Sequence, residues 1–339
     1  MFTFLRYMQF IELSEEYLLE AVGQNTGGVL HELLVGHHLN GGKHMDKHSD
    51  ANGDSPEEAH NKLKSSISKE DYDRINARAK LAAEHIKTQL GGKPIHKVQW
   101  TSKPGDLHKA TGIEASQKQD ASDIVVTTKD KSHPSGFRHH GVSLKVTGGK
   151  SEIPVSNPGL ESTHGGKEIL DAHRQKLLQS HPKLRTATNK AERKDIMASN
   201  PKIAANVKKE NSSVLQNIAS NMHKKLSALP KRKLVDHIRN TVLAANKTPM
   251  QEQGHTHIRH TSYGDGNHSA INPAEAHEHI FKSPEHISVA HSGTSVIFSH
   301  KGVPFARHRL KFESQSDPMS AVKGSGELIK RKKDSNLVK

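Results

Sequence analysis

Apolar positions along this chain change their spacing several times, and each change predicts a new kind of element. Phe4, Tyr7, Met8, Ile11, Tyr17 and Leu18 lie close to helical spacing, interrupted by Glu12, Glu15, Glu16 and Glu20. After a Gly-containing stretch, Val29, Leu30, Leu33, Leu34 and Leu39 predict a second helix. Residues 41–57 are polar and read as loop. Ser55-Pro56-Glu57-Glu58 then opens a helix, with serine as N-cap, proline in the first turn and early acids. Ser68-Lys69-Glu70-Asp71 opens another, which runs to Leu90 and stops at Gly91-Gly92.

The period then shortens to two. Residues 97–100 read as a short strand, 122–128 (SDIVVTT) as a β-branched strand, and 139–149 as its partner across a turn containing Pro134 and Gly136. Residues 166–247 return to helical spacing. A His-rich loop follows Pro249, and strands are expected near 286–291, 294–299 and 305–313. No internal repeat is present. The order helix, strands, helices, strands predicts an α/β (α+β) chain with a helical insertion.

Composition thins this picture. Only 32% of the 339 residues are hydrophobic and 4% aromatic, so a lean core with long polar helices is expected rather than one large packed sphere. Lys+Arg outnumber Asp+Glu by 50 to 36, a net charge of +14 that favours polyanionic partners, nucleic acid first. No stretch approaches the roughly 20 apolar residues of a membrane span. Without a basic segment ahead of it, the first apolar run does not read as a secretory signal. Cysteine is absent, which excludes disulfides, thiolate zinc sites and cysteine nucleophiles. Gly-rich pairs lack the spacing of a phosphate-binding loop.

Three residues stand out as candidate chemistry. Glu32 sits among apolar neighbours on the second helix, Asp123 immediately precedes a strand, and Lys145 lies within that strand's hairpin partner. Alternation sends Ser143 and Lys145 to one face and Val142, Leu144 and Val146 to the other. Carboxylates that hold Mg²⁺, with a lysine that orients water and offsets charge, are what metal-assisted phosphodiester hydrolysis needs. Each residue also has a plainer reading: a solvent-facing glutamate, an aspartate capping a turn, and a lysine snorkelling from an edge strand.

Over about residues 25–150 this arrangement resembles the PD-(D/E)xK nuclease superfamily, whose motif is an aspartate, a hairpin, then (Asp/Glu)-x-Lys, often with a glutamate on the preceding helix. Asp123, Lys145 and Glu32 match those positions, while Ser143 stands where the second acid is expected. Gly141-Val142-Ser143-Leu144-Lys145 is similar to the G-(I/V)-S-x-K strand of some restriction-enzyme-like sequences. The resemblance implies a restriction-endonuclease-like mixed sheet flanked by helices. It also implies a Mg²⁺-dependent deoxyribonuclease (Mn²⁺ as substitute), with Asp123, Glu32 and then Glu161 or Glu152 as metal ligands. Restriction-like cores often cut both strands as dimers, so a homodimer is compatible, although no dimer seam is legible.

A second resemblance lies at the N-terminus. Met1-Phe2-Thr3-Phe4 with Tyr7-Met8 is similar to the capsid-targeting leaders of internal head proteins in T-even-type phages. There a prohead protease cuts after (Leu/Ile)-x-Glu, a pattern met by Leu18-Leu19-Glu20 and Leu13-Ser14-Glu15. This implies phage head proteins and the protease as partners, with a location in the virion or the host cytoplasm. The expected division is a leader 1–20, a nuclease core 21–165, a basic helical insertion 166–248, core-completing strands 249–325 and a disordered basic tail 326–339. The rival reading is a non-enzymatic DNA-binding head protein; a weaker one is a virion component with no DNA contact.

DNA contacts are expected from Arg307, Arg309 and Lys311, which alternate along one strand as a basic stripe, and from Ser156 and Asn157 in a polar loop. A solvated strand face and an ordinary connector are the alternatives. The 27 histidines include His255-x-His257-x-x-His260, whose imidazoles suit zinc, although histidine is common enough here for such spacing to arise by chance.

Overall fold

The computed structural model describes residues 24–46, 54–101, 103–116, 119–147, 152–263, 266–271, 278–314 and 317–329. The expected leader, its expected cleavage point after Glu20 and residues 330–339 lie outside these, as does the side chain of Glu152.

In chain order the helices are α1 (Gln24–Leu39), α2 (Pro56–Ser65), α3 (Lys69–Gln89), α4 (Asp106–Thr111), α5 (Gly166–Ser180), α6 (Pro182–Thr186), α7 (Lys190–Ser199), α8 (Pro201–Ser227), α9 (Lys231–His237), α10 (Pro249–Glu252) and α11 (Glu278–Phe281). The strands are β1 (Ile95–Trp100), β2 (Ile124–Lys129), β3 (Phe137–Thr147), β4 (Glu152–Ser156), β5 (Thr256–Tyr263), β6 (His268–Ile271), β7 (Ile287–Ser292), β8 (Ser295–His300), β9 (Val303–Phe312) and β10 (Val322–Ile329). No helix among the described residues is long and apolar enough to cross a membrane.

Among the described residues the chain divides into two compact units, the first made of 24–147 with 247–271 and the second of 152–246 with 278–329. The first is a mixed five-stranded sheet of order β1-β2-β3-β5-β6, antiparallel except where β3 runs parallel to β5. Helices α1 and α3 cover one face. There Leu30, Leu33, Leu34, Ala79, Ala82 and Ile86 pack on Val98, Ile124, Val126, Val142 and Leu144. The other face carries a smaller cluster of Leu107, Ile113, Val125 and Met250. Local chemistry sets the boundaries as expected. Ser55 and Glu58 form a reciprocal capping box, Ser68 accepts from the Asp71 N–H, and Gly91 and Gly92 follow α3 at φ +67 each, a conformation open to glycine.

The second unit is an antiparallel sheet of order β4-β10-β9-β8-β7 with α5 to α9. Along β9, Ala306, His308, Leu310 and Phe312 are buried in alternation with half-buried Arg307 and exposed Arg309 and Lys311. This division differs from the one expected from sequence. Only β5 and β6 of the region 249–325 complete the first sheet; β7 to β10 form a sheet of their own with β4, which follows the hairpin directly. Nor does the tail begin at 326, because Gly326–Leu328 pair with both β9 and β4, and Ile329 pairs with β4. Helix α1 begins before its glycines rather than after them.

Candidate active site

The backbone around Asp123 is fixed from both sides. Its N–H donates to the Val142 carbonyl at 2.9 Å and its carbonyl accepts from the Thr101 N–H at 2.9 Å, which ties the start of β2 to the end of β1 and to β3. The side chain is held as firmly, since Oδ2 accepts from the Leu144 N–H at 2.6 Å. Strand alternation then brings Lys145 Nζ within 3.8 Å of the same oxygen. Ser143, 1% exposed and beside them, donates its hydroxyl to Asp123. The residue standing where a second acid was expected therefore serves the first acid.

Glu32 reaches this group from α1. The apolar stripe Leu30, Leu33, Leu34 seats the helix on the sheet, and the Trp100 indole N–H at the end of β1 donates to Glu32 Oε2 at 3.5 Å. Burial first, then the neighbouring Asp123 carboxylate, pushes the Glu32 carboxyl up to about 8; Trp100 and Lys145 partly offset this. Burial also raises Asp123, opposed by Lys145, the Leu144 N–H, His257 and Ser143. Two acids and one lysine thus form one electrostatic unit in which full ionisation of both carboxyls is disfavoured.

Behind Asp123 lies a layer that the sequence did not reveal. In the parallel β3–β5 register, Gly141 faces His257, Ser143 faces Arg259 and Lys145 faces Thr261. Arg259 is 8% exposed; burial lowers its guanidinium to about 10, with Asp120 and Asp123 acting to raise it, so it stays charged at neutral pH. His257 Nδ1 lies 3.4 Å from Asp120 Oδ1 and 3.3 Å from Ser122 Oγ, and Ser122 also donates to Asp120. Burial alone would raise Asp120, but hydrogen bonds from His257, Ser122 and Thr248 hold it below the usual carboxylate range. Serine and aspartate address the same imidazole nitrogen, so this is no nucleophilic relay, which needs them on opposite nitrogens. Gly141 is required here, because a Cβ at that position would collide with Ser122 Oγ. The alternation of His257, Arg259 and Thr261 along β5 was a visible signal, but nothing local tells which strand β5 joins.

Other expected site residues fall elsewhere. Glu161 belongs to the second unit, in a single 3₁₀ turn (Leu160–Thr163), with its carboxylate folded back over Gly159. The first unit assembles Glu32, Asp123 and Lys145 without it. Ser156 ends β4 rather than sitting in a loop, and its hydroxyl donates to the Thr241 and Val242 carbonyls, at 3.0 and 2.6 Å. That use is structural. Asn157, next to it, is exposed. Arg307, Arg309 and Lys311 do alternate on one face of β9, and a single carboxylate offsets one of their three charges. Glu327, 1% exposed on β10 and in register with Arg307, accepts from Arg307 Nε at 2.7 Å and lies 3.1 Å from Arg309 Nη2.

Asp123 and Glu32 are donors of the kind a magnesium ion takes. Mg²⁺ is bound through one or two carboxylates and keeps water and substrate phosphate as its other ligands; these are two half-buried carboxylates that destabilise each other's charge. Among the described residues no three acidic or histidine side chains already converge as a finished metal cage. Compared with protein-family models, with curated proteins and with solved structures, the chain finds no match.

Proposed function

We propose that the first unit is a metal-dependent nuclease that hydrolyses DNA phosphodiester bonds. The observation that carries this reading is the joining of Glu32, Asp123 and Lys145, from three separate elements, into one coupled group. The order of elements around it (helix with glutamate, aspartate before a strand, hairpin, lysine, then a parallel strand) supports a restriction-endonuclease-like core of the PD-(D/E)xK kind.

Asp123 and Glu32 would hold the Mg²⁺, which would supply a Lewis acid for the phosphate and a lowered pKa for an attacking water. Leu144 and Ser143 orient the Asp123 carboxylate. Lys145 supplies a positive charge beside it, placed to orient water and to offset charge on the phosphorane-like transition state. Trp100 fixes the Glu32 carboxyl. The net charge of +14 favours the polyanionic substrate. Taken with the leader's resemblance, the same reading makes this a phage protein packaged in the head after cleavage at Glu20.

Plasmid cleavage tests the site. The purified protein is expected to nick DNA with Mg²⁺ or Mn²⁺ but not with EDTA, and Asp123→Ala and Lys145→Ala are each expected to abolish nicking. Cleavage surviving both substitutions refutes the assignment. Salt-sensitive DNA retention without cleavage supports the non-enzymatic DNA-binding reading in its place.

A further inference from the structure

The opposite face of the same sheet, under α1 and α3, carries buried and half-buried histidines that the nuclease reading does not use. His31 projects from α1, His85 from α3, His260 from β5 and His268 from β6. His31 is 2% exposed and His260 is fully buried, and both ring nitrogens of each have no hydrogen-bond partner. An imidazole carries one donor and one acceptor, and protein interiors satisfy nearly all such groups. Two neighbouring rings with every nitrogen unsatisfied call for a ligand that takes nitrogen lone pairs.

Ring spacing says which kind. The centroids of His85 and His260 lie 5.2 Å apart, those of His260 and His268 5.3 Å, and those of His85 and His268 6.0 Å. Zinc bound tetrahedrally by imidazoles at Zn–N of about 2.0–2.1 Å puts ring centroids about 5 Å apart. Backbone and Cα–Cβ torsion set these spacings. Turning a ring about its Cβ–Cγ bond swings the nitrogens while leaving the centroid nearly in place, so the spacing holds although no three donors converge before such a turn. Ser262 Oγ lies 3.3 Å from His268 Nδ1, as the outer hydrogen bond of a metal-binding imidazole would. An all-imidazole set with no carboxylate suits zinc and its neighbours rather than Mg²⁺ or Ca²⁺.

We propose that His31, His85, His260 and His268 form a structural site for a zinc-like transition-metal ion that pins α1 and α3 to β5 and β6. Because His31 precedes Glu32 on α1, the ion also fixes the helix that carries Glu32 to its place. The proposal stands independently of the nuclease reading.

The test uses the full chain, purified without a histidine tag, stripped with EDTA, dialysed and titrated with Co²⁺. The expected result is the strong visible absorption of tetrahedral Co²⁺, saturating at one equivalent and displaced by Zn²⁺. His85→Gln and His260→Gln are each expected to weaken Co²⁺ binding at least tenfold. Asp123→Ala should leave it unchanged, as should His255→Gln in the separate trio of His133, His139 and His255. Wild-type protein that takes up no stoichiometric Co²⁺ overturns the proposal, whatever the variants do. So does absorption that survives His85→Gln, a half-buried position whose substitution leaves the core intact, or that is lost in His255→Gln.

Discussion

Replacing Glu32 with glutamine separates what its carboxyl does for chemistry from what it costs the fold. In metal-free buffer the folded protein holds the Glu32 proton up to about 8, while the unfolded chain releases it near the ordinary value of 4.5. A carboxyl raised in this way supports the fold fully below 4.5, and that support drains away as pH rises toward 8. At about 1.4 kcal/mol per pH unit the full span amounts to roughly 5 kcal/mol; the remaining solvent contact of the side chain reduces the expectation to about 2–3 kcal/mol. Glutamine keeps the shape and can still accept from Trp100, but it never ionises. Urea denaturation in EDTA should therefore find Glu32→Gln more stable than wild type by about 2–3 kcal/mol near pH 8.5 and within about 1 kcal/mol near pH 5. The same variant should lose Mg²⁺-dependent cleavage, and millimolar Mg²⁺, which stabilises wild type by binding the folded state, should no longer protect it. A stability difference equal at both pH values, or a variant less stable than wild type at the higher one, refutes the account of Glu32 as a buried acid strained by Asp123.

Glu327→Ala should release Arg307 and Arg309, costing about 1–3 kcal/mol of stability while strengthening salt-sensitive DNA retention; retention unchanged in filter binding across a salt series argues against the stripe as a latent phosphate site. Burial holds His140 and His308 at about 4, so the stability they support is complete above 6.5 and lost as pH falls toward 4, by about 2 kcal/mol for each at pH 5. Denaturation midpoints at pH 7.5 and 5 check this, and His140→Gln should reduce the difference by about 2 kcal/mol, its own share. Ile124→Ala, at a fully buried position between α1 and the sheet, should cost about 2–5 kcal/mol by denaturation.

What could be read from sequence is what neighbours along the chain decide. The capping serines Ser55 and Ser68, the stop at Gly91-Gly92 and the hairpin around Pro134 and Gly136 are fixed within a few residues, and they formed as expected. The alternation that put Ser143 and Lys145 on one face is equally local. Glu32 was a harder case: helical spacing places it on a helix but does not say whether it faces solvent or Asp123. Pairing across distance was illegible. Nothing near Arg259 indicates that β5 would lie beside β3, and alternation along β9 lines up Arg307 and Arg309 without revealing that Glu327 would stand opposite. The C-terminal strands carried good strand signals but no label for the sheet they would build.

The parallel pairing of β3 with β5 has a consequence in time. When Thr147 leaves the ribosome, the strand that holds Lys145 has only one of its two neighbours; the other begins at Thr256, after the whole of 151–246 has been made. At ordinary synthesis rates that is a wait of roughly ten seconds, during which β3 is a bare edge with its amides and carbonyls open to any extended segment. His257 and Arg259, which back Asp123, and His260, which faces α3, all arrive on that late strand. Newborn chains therefore carry the acids and the lysine well before the layer that supports them, and a ribosome stalled short of Thr256 releases a protein with Asp123 and Lys145 on an open sheet.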